Sequence, residues 1–400
     1  MDFLTVKDID FSGQQVVMRA DFNVPLKDGK VADDTRIQAA LPTINTILEQ
    51  GGRLSLLSHL GRPKGQRVPE MSLAPCVPVL SKLLGRPVAF ADDCVGEGAR
   101  TAAGNLKNGE LLLLENLRYH AQETLNDDQF AAQLAQLGKI YVNDAFGTAH
   151  RAHASTVGIT RHVSPCVAGF LIEKELAYFG PLLTEPLRPF TALLGGAKIA
   201  GKIDVLFNLL PRVDKILIGG GMMFTFYKAR GLETGRSLVD PQRVDMARDI
   251  LDQAGDKLVL PGDCMVSDSF DFKTGRVGQL SAASAEAIPA QAYGLDIGPR
   301  TLEEFEKILE TSRTVVWNGP MGVFEIEDTA RGTMRIARLL AERTDAGAVT
   351  VIGGGDSAAA VARAGVKARV SHVSTGGGAS LELLEGRTLP GIAALTPRAG

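Results

Sequence analysis

Two groups of residues have types and spacings that could do chemistry. The first lies in the N-terminal half: Asp21, Asn23, Arg36, His59, Arg62, Arg118 and Arg151. Planar guanidinium groups grip carboxylate or phosphate bidentately, and four of them with a histidine suit a small polyanion. The second group is a set of glycine clusters in the C-terminal half: Gly195-Gly196-Ala197-Lys198, Gly219-Gly220-Gly221, Gly353-Gly354-Gly355-Asp356-Ser357 and Gly376-Gly377-Gly378. Glycine lets backbone approach a ligand closely, and a helix starting there offers free N–H groups and its positive dipole end to phosphate. Gly220, Gly354, Gly355, Asp356 and Ser357 are therefore candidate nucleotide contacts. Asp356 would repel a phosphate unless magnesium lay between them, which makes it the candidate metal ligand. Lys198 and Lys202 are four apart and would share a face if the helix has already begun. Lys202, between a Gly-Gly turn and an apolar stretch, is the stronger phosphate candidate.

A single arginine is ordinarily a surface salt bridge, and a single glycine turn is ordinarily a tight connection. The shared placement carries the reading. Asp21 and Asn23 follow the strand-like run Gln15 to Met18, His59 and Arg62 follow Leu54 to Leu57, and Arg118 follows Leu111 to Leu114. Parallel strands would bring those ends together, and open parallel sheets bind ligands at the carboxyl ends of their strands.

Two near-matches drop out. Gly196 to Lys202 has P-loop spacing, but Ile203 follows where a magnesium-holding Ser or Thr is required. Gly353 to Ala358 fits a loose dinucleotide fingerprint, but the strand-like segment Ala368 to Ser374 has no acidic residue for a ribose. No Ser-His-Asp or Cys-His arrangement, HExxH, or HRD with DFG is present. A carboxylate substrate needs none of these, being already an ionised nucleophile. Alignment and charge neutralisation would suffice.

The elements that must position these groups alternate. Strand-like runs at Gln15 to Met18, Leu54 to Leu57, Leu111 to Leu114, Ile140 to Val142, Thr191 to Leu194, Lys215 to Ile218, Val315 to Trp317 and Val349 to Ile352 are separated by helical patterns such as Arg36 to Gln50 and Thr329 to Arg343. That order predicts parallel sheets with helices on both faces. At 400 residues the chain exceeds one ordinary core. The fold class expected is α/β, two doubly wound parallel-sheet (Rossmann-like) domains joined by a hinge helix. Phe170 to Phe179 reads as an amphipathic helix and Pro181 to Pro189 as a proline-punctuated boundary. The domains expected are 1–170, an interdomain helix and hinge over 171–187, and 188–378, with 379–400 returning to the first.

Lys plus Arg (43) nearly balances Asp plus Glu (46), a net charge of -3, so nothing global attracts nucleic acid or an anionic membrane. The four cysteines are far apart with no CxxC pair, and read as reduced thiols. The N-terminus does not read as a signal peptide, and no apolar stretch reaches a membrane span, so a cytoplasmic protein is expected.

The chain resembles phosphoglycerate kinases over nearly its whole length. The resemblance rests on Arg19 to Pro25, Ser58 to Pro63, Leu114 to Arg118, Asn143 to Arg151, Gly195 to Lys198, Trp317 to Glu325, Gly353 to Ser357 and Ser374 to Ser380. It implies reversible transfer between 1,3-bisphosphoglycerate and ADP, giving 3-phosphoglycerate and ATP, with Mg2+, by a monomer in glycolysis. By the same resemblance Asp21, Asn23, Arg36, His59, Arg62, Arg118 and Arg151 hold the phosphoglycerate. Arg36 neutralises the reacting carboxyl group, Lys202 contacts the transferring phosphoryl group, Glu325 holds the ribose, and Gly354 to Ser357 take phosphate and magnesium. Hinge closure would bring the two substrates together.

Two rivals remain at this level. A non-enzymatic binding protein closing on a phosphorylated acid would be indifferent to changes at Lys202 or Asp356. A kinase for a smaller acid, such as acetate or carbamate, would not need four arginines.

Overall fold

The computed structural model describes residues 2–398. By its internal contacts the chain forms two compact units, one of residues up to Ala177 together with those from Thr388 onward, the other of Tyr178–Arg387.

The first unit is built on six parallel strands: β1 (Gln15–Arg19), β2 (Arg53–Leu57), β3 (Ala89–Ala91), β4 (Leu111–Leu114), β5 (Ile140–Asn143) and β6 (Cys166–Ala168), in the order β3-β4-β2-β1-β5-β6. All four leucines of β4 and all four residues of β5 are buried, as expected for strands covered on both faces. The helix Thr35–Glu49 buries Ile37, Ala40, Ile44, Ile47 and Leu48, a stripe of helical spacing, and so leaves Arg36 at its start half-exposed. The C-terminal segment belongs here: Leu4 N donates to Thr396 O (2.9 Å), and Cys166 N to Thr396 Oγ1 (2.9 Å).

The second unit has its own six parallel strands: β7 (Phe190–Leu194), β8 (Lys215–Ile218), β9 (Leu258–Val259), β10 (Thr314–Asn318), β11 (Val349–Gly353) and β12 (His372–Val373). Their order, β9-β8-β7-β10-β11-β12, is doubly wound, and the winding reverses between β7 and β10. A core of buried apolar residues including Trp317, Phe190, Leu193 and Ile352 surrounds this sheet. A separate antiparallel sheet pairs Asp263–Ser267 with Leu280–Ser284 and Tyr293–Ile297. Beside it stands the hairpin Phe270–Asp271 with Arg276–Val277.

The two parallel sheets are those expected from the sequence. The strand-like segment Ala368 to Ser374 shortens to β12, with a 3-10 turn over Lys367–Arg369 before it. All four cysteines are free and buried. Among the described residues no helix is long and apolar enough to cross a membrane.

Candidate active site

In the first unit the polar candidates leave the carboxyl ends of four adjacent strands: Arg118 after β4, His59 and Arg62 after β2, Asp21 and Asn23 after β1, Arg151 after β5. Side chains hold the connecting loops in place. Ser58 Oγ donates to Ala20 O (2.8 Å) and accepts from Phe22 N (2.8 Å), joining the ends of β1 and β2. Asn116 Nδ2 donates to Leu60 O (2.7 Å) and Met71 O (2.8 Å), and its Oδ1 accepts from Arg118 N (3.0 Å).

On that frame Arg36 Nη1 donates to Asp21 Oδ2 (2.6 Å), while Asp21 Oδ1 accepts from Asn23 N (3.2 Å). Asn23 Oδ1 accepts from Gly61 N (2.9 Å), and Gly61 O accepts from Arg118 Nη1 (2.8 Å). The bonds tie Asp21, Asn23, Arg36 and Arg118 to one cluster, with exposed Arg62 following directly on Gly61. Arg118 Nε is buried and unpartnered, an open donor. Burial, followed by the charges of Arg19 and Arg151, lowers the Arg118 pKa to about 10, so it stays cationic at neutral pH. Arg151 is exposed, its Nε 3.0 Å from His150 Nε2. The arginines outnumber the carboxylates of Asp21 and buried Glu123, which leaves the cluster positively charged, as a bound polyanion requires.

Behind the cluster lies a residue to which the sequence reading gave no role. Arg19 is fully buried, donating through Nε to Ser155 Oγ (2.9 Å), through Nη2 to His59 Nδ1 (2.9 Å), and through Nη1 to Ala20 O. Ser155 passes the interaction on, its Oγ donating to the buried carboxylate of Glu123 (2.6 Å). An arginine ending an otherwise apolar strand was the available signal.

In the second unit the glycine turns meet at the carboxyl end of the sheet. Gly195 N donates to Asn318 O (3.0 Å), Gly196 N to Pro320 O (2.8 Å) and Gly220 N to Met321 O (2.8 Å). A Cβ on Gly195 would stand 2.2 Å from Pro320 O, and one on Gly220 2.5 Å from Gly196 N. Those two glycines are thus required by backbone meeting backbone. A Cβ on Gly355 would meet nothing within 4 Å, and one on Gly377 would come only to 3.6 Å from Gly355 N. The starts of the helices Gly355–Arg363 and Gly377–Leu384 are therefore open and side by side.

The helix after Lys202 begins at Ile203, with Lys202 itself the residue preceding its first turn. Lys198 and Lys202 therefore do not share a helical face, and Gly201 lies outside the helix, where it costs the helix nothing. Lys198 is exposed and makes no hydrogen bond or ion pair among the described residues. Lys202 Nζ donates to Asn318 Oδ1. Burial lowers the Lys202 pKa to about 8, partly offset by the charge of Asp356. Asn318 Nδ2 is buried without a partner, and a Cβ on Gly354 would lie 3.3 Å from it. Ser357 is buried, its Oγ accepting from Gly319 N (2.6 Å).

Beside these turns is a cleft of about 600 Å³, lined by Gly196, Gly220, Tyr293, Val323, Glu325 and Asp356 among others. Its walls are mainly apolar, with two carboxylates at the rim, which suits a flat base carrying a polar sugar and phosphates. Gly220, Glu325 and Asp356 thus share one cleft, while Lys198, Lys202, Gly354, Gly355 and Ser357 are not on its lining.

Comparison with known proteins agrees with this architecture. The phosphoglycerate kinase family pattern matches residues 6–387. A phosphoglycerate kinase of Chloroherpeton thalassium is 55% identical over 395 residues, covering 98% of each chain. One of Chlorobium chlorochromatii is 54% identical, covering 99% of this chain and 100% of its own. Among solved structures, phosphoglycerate kinase from Coxiella burnetii superposes with a TM-score of 0.88 at 38% identity, covering 98% of both chains. The enzyme from Pyrococcus horikoshii OT3 gives 0.84 at 34%, with the same coverage. The chain belongs to the phosphoglycerate kinase family.

Proposed function

We propose that the two units hold the two substrates of a phosphoglycerate kinase separately, the acid on the arginine cluster and the nucleotide on the glycine turns. The reaction is reversible transfer of a phosphoryl group between 1,3-bisphosphoglycerate and ADP, giving 3-phosphoglycerate and ATP, in glycolysis and gluconeogenesis. The observation that carries the assignment is the meeting of Arg118, of His59 with Arg62, of Asp21 with Asn23, and of Arg151 after four adjacent strand ends, where arginines outnumber the carboxylates of Asp21 and buried Glu123.

In this reading Arg62, Arg118 and Arg151, with His59, take the distal phosphate. Arg36 faces the carboxyl group, and Asp21 and Asn23 fix Arg36 and the loop at Gly61. In the ATP-consuming direction the carboxylate attacks the terminal phosphorus in line, and the bond to the bridging oxygen of ADP breaks. No base is needed and no covalent enzyme intermediate forms. Lys202 and the unpartnered Nδ2 of Asn318 meet phosphoryl oxygens, Glu325 the ribose, and the open turn at Gly354 and Gly355 the remaining phosphates. Ser357 shapes that turn. Transfer requires carboxylate and terminal phosphate to meet with water excluded, the step that hinge closure supplies here.

Asp356 is exposed on the cleft and makes no hydrogen bond or ion pair among the described residues. A free carboxylate beside a phosphate turn fits Mg2+, which is held by one or two carboxylates plus substrate phosphates. When bound there, the ion offsets charge on the nucleotide phosphates. On family membership we read the working form as a monomer. With four free cysteines and no feature drawing it to nucleic acid or membrane, we place it in the cytoplasm.

Calorimetric titration of each substrate separates the half-sites. Arg118→Ala should abolish 3-phosphoglycerate binding and leave nucleotide binding intact, and Lys202→Ala should do the reverse. Loss of both ligands in either variant would contradict the division.

A further inference from the structure

Away from the arginine cluster, the loops leaving neighbouring strands β3 and β4 bring together Asp93, Cys94 and His120, with one ligand atom from each lying within 4.8 Å of the others. Among the described residues no other such group of three is present. We propose that these residues form a zinc site that clamps the two loops to each other, with water completing the coordination.

The donors are already oriented. His120 Nε2 stands 2.8 Å from Asp93 Oδ1, and its ring is held against Phe130 at a centroid distance of 5.1 Å. Arg67 lies 3.5 Å from the other carboxylate oxygen, Oδ2, while Oδ1 also accepts from Cys94 N (2.7 Å) and Val95 N (3.4 Å). Those bonds fix the carboxylate beside the thiol and the ring and leave Oδ1 a remaining lone pair for the metal once His120 Nε2 turns to it. Cys94 is buried at 1% exposure beneath the pair, whereas the Asp93 and His120 side chains are 37% and 27% exposed, so the open position faces solvent. Tetrahedral zinc places its ligand atoms roughly 3.5 Å apart, so the Asp93–His120 pair, now 2.8 Å apart, would open slightly to admit the ion, while the separations to Cys94 already lie within 4.8 Å. A thiolate, imidazole and carboxylate together favour zinc over the magnesium of the reaction, which prefers oxygen ligands. On binding, the Cys94 thiol forms an S–Zn bond and gives one proton to solvent.

Cobalt(II), a coloured substitute for zinc, tests the site in the full-length, metal-free protein. The expected result is uptake of one equivalent, a thiolate-to-cobalt charge-transfer band, release of about one proton, and displacement by zinc. Cys94→Ala should remove the band, and both it and His120→Gln should weaken binding on the order of 100-fold. His120→Gln, at a half-exposed position, keeps the test decisive if the buried variant does not fold. Absence of the band, or affinity unchanged in His120→Gln, overturns the proposal and leaves Asp93 as a loop-capping residue only.

Discussion

Nη2 of Arg19 stands 2.9 Å from Nδ1 of His59, and both side chains are buried. A guanidinium only donates, so Nδ1 must accept and the ring proton sits on Nε2. Burial, followed by the charges of Arg19, Arg118 and Arg36, holds the His59 pKa well below its ordinary value. The 3.8 Å approach of Nδ1 to Asp21 Oδ1 is therefore no ion pair. In the proposed reading this neutral Nε2–H donates to the bound acid.

Nitrogen-detected NMR should accordingly find His59 as the neutral Nε2–H tautomer throughout pH 5–8, with no titration in that window. A change of protonation near the ordinary histidine range would mean that Arg19 does not fix the ring. His59→Gln, which retains a donor, should raise the KM for 3-phosphoglycerate less than His59→Ala does.

Removing Arg36 leaves Asp21 without its 2.6 Å partner and, in the proposed reading, takes away the cation facing the carboxyl group. A charge-assisted bond contributes about 1.5–3 kcal/mol, so Arg36→Ala should lower kcat/KM by roughly 10- to 100-fold or more. The added repulsion from unpaired Asp21 predicts partial recovery in the double variant Arg36→Ala with Asp21→Asn. Steady-state kinetics on the three proteins checks both statements.

In the proposed reading Lys202 links nucleotide binding to pH. Its folded-state pKa, about 8, lies below the ordinary lysine value, so below pH 8 the buried charge opposes folding in full, and that cost is relieved as pH rises from about 8 towards 10.5. Lys202→Met should therefore raise the Tm of the ligand-free protein at pH 7 and have less effect at pH 10. A nucleotide polyphosphate favours the charged form. At pH 8 its binding should take up about half a proton, measured by calorimetry in buffers of different ionisation enthalpy, and its affinity should fall as pH rises above 8.

The glycines divide by what surrounds them. Gly195→Ala would drive a Cβ to 2.2 Å from Pro320 O and should destabilise the second unit by roughly 2–3 kcal/mol. Gly355→Ala meets nothing, sits at a helix start, and should leave thermal stability unchanged or slightly higher. If phosphate approaches that turn, Gly355→Ala should still weaken nucleotide binding. Parallel melting curves and nucleotide KM values separate the two classes.

The parallel sheets were legible because buried strands are short continuous apolar runs. Leu111–Leu114 and Lys215–Ile218 match their expected limits, and Gln15–Arg19 exceeds its expected end by one residue. That extra residue is Arg19, whose inward course no spacing rule reveals. The antiparallel sheet was not legible: Leu280–Ser284 is largely exposed and lacks a clear alternation. Helix starts were the least legible element, which is why spacing alone could put Lys198 and Lys202 on one face. The glycine clusters were found, but only the structure shows that Gly195 and Gly220 answer to neighbouring backbone, and Gly355 to open space.

Phosphoryl transfer to the carboxylate is observed directly by phosphorus NMR of the purified protein with magnesium-ATP and 3-phosphoglycerate. The unmodified protein should give ADP and an acyl phosphate, and Arg36→Ala and Lys202→Ala should each form it at least roughly 10-fold more slowly. Undiminished acyl phosphate formation in both variants, or none from the unmodified protein although both ligands bind, would contradict the proposed reaction.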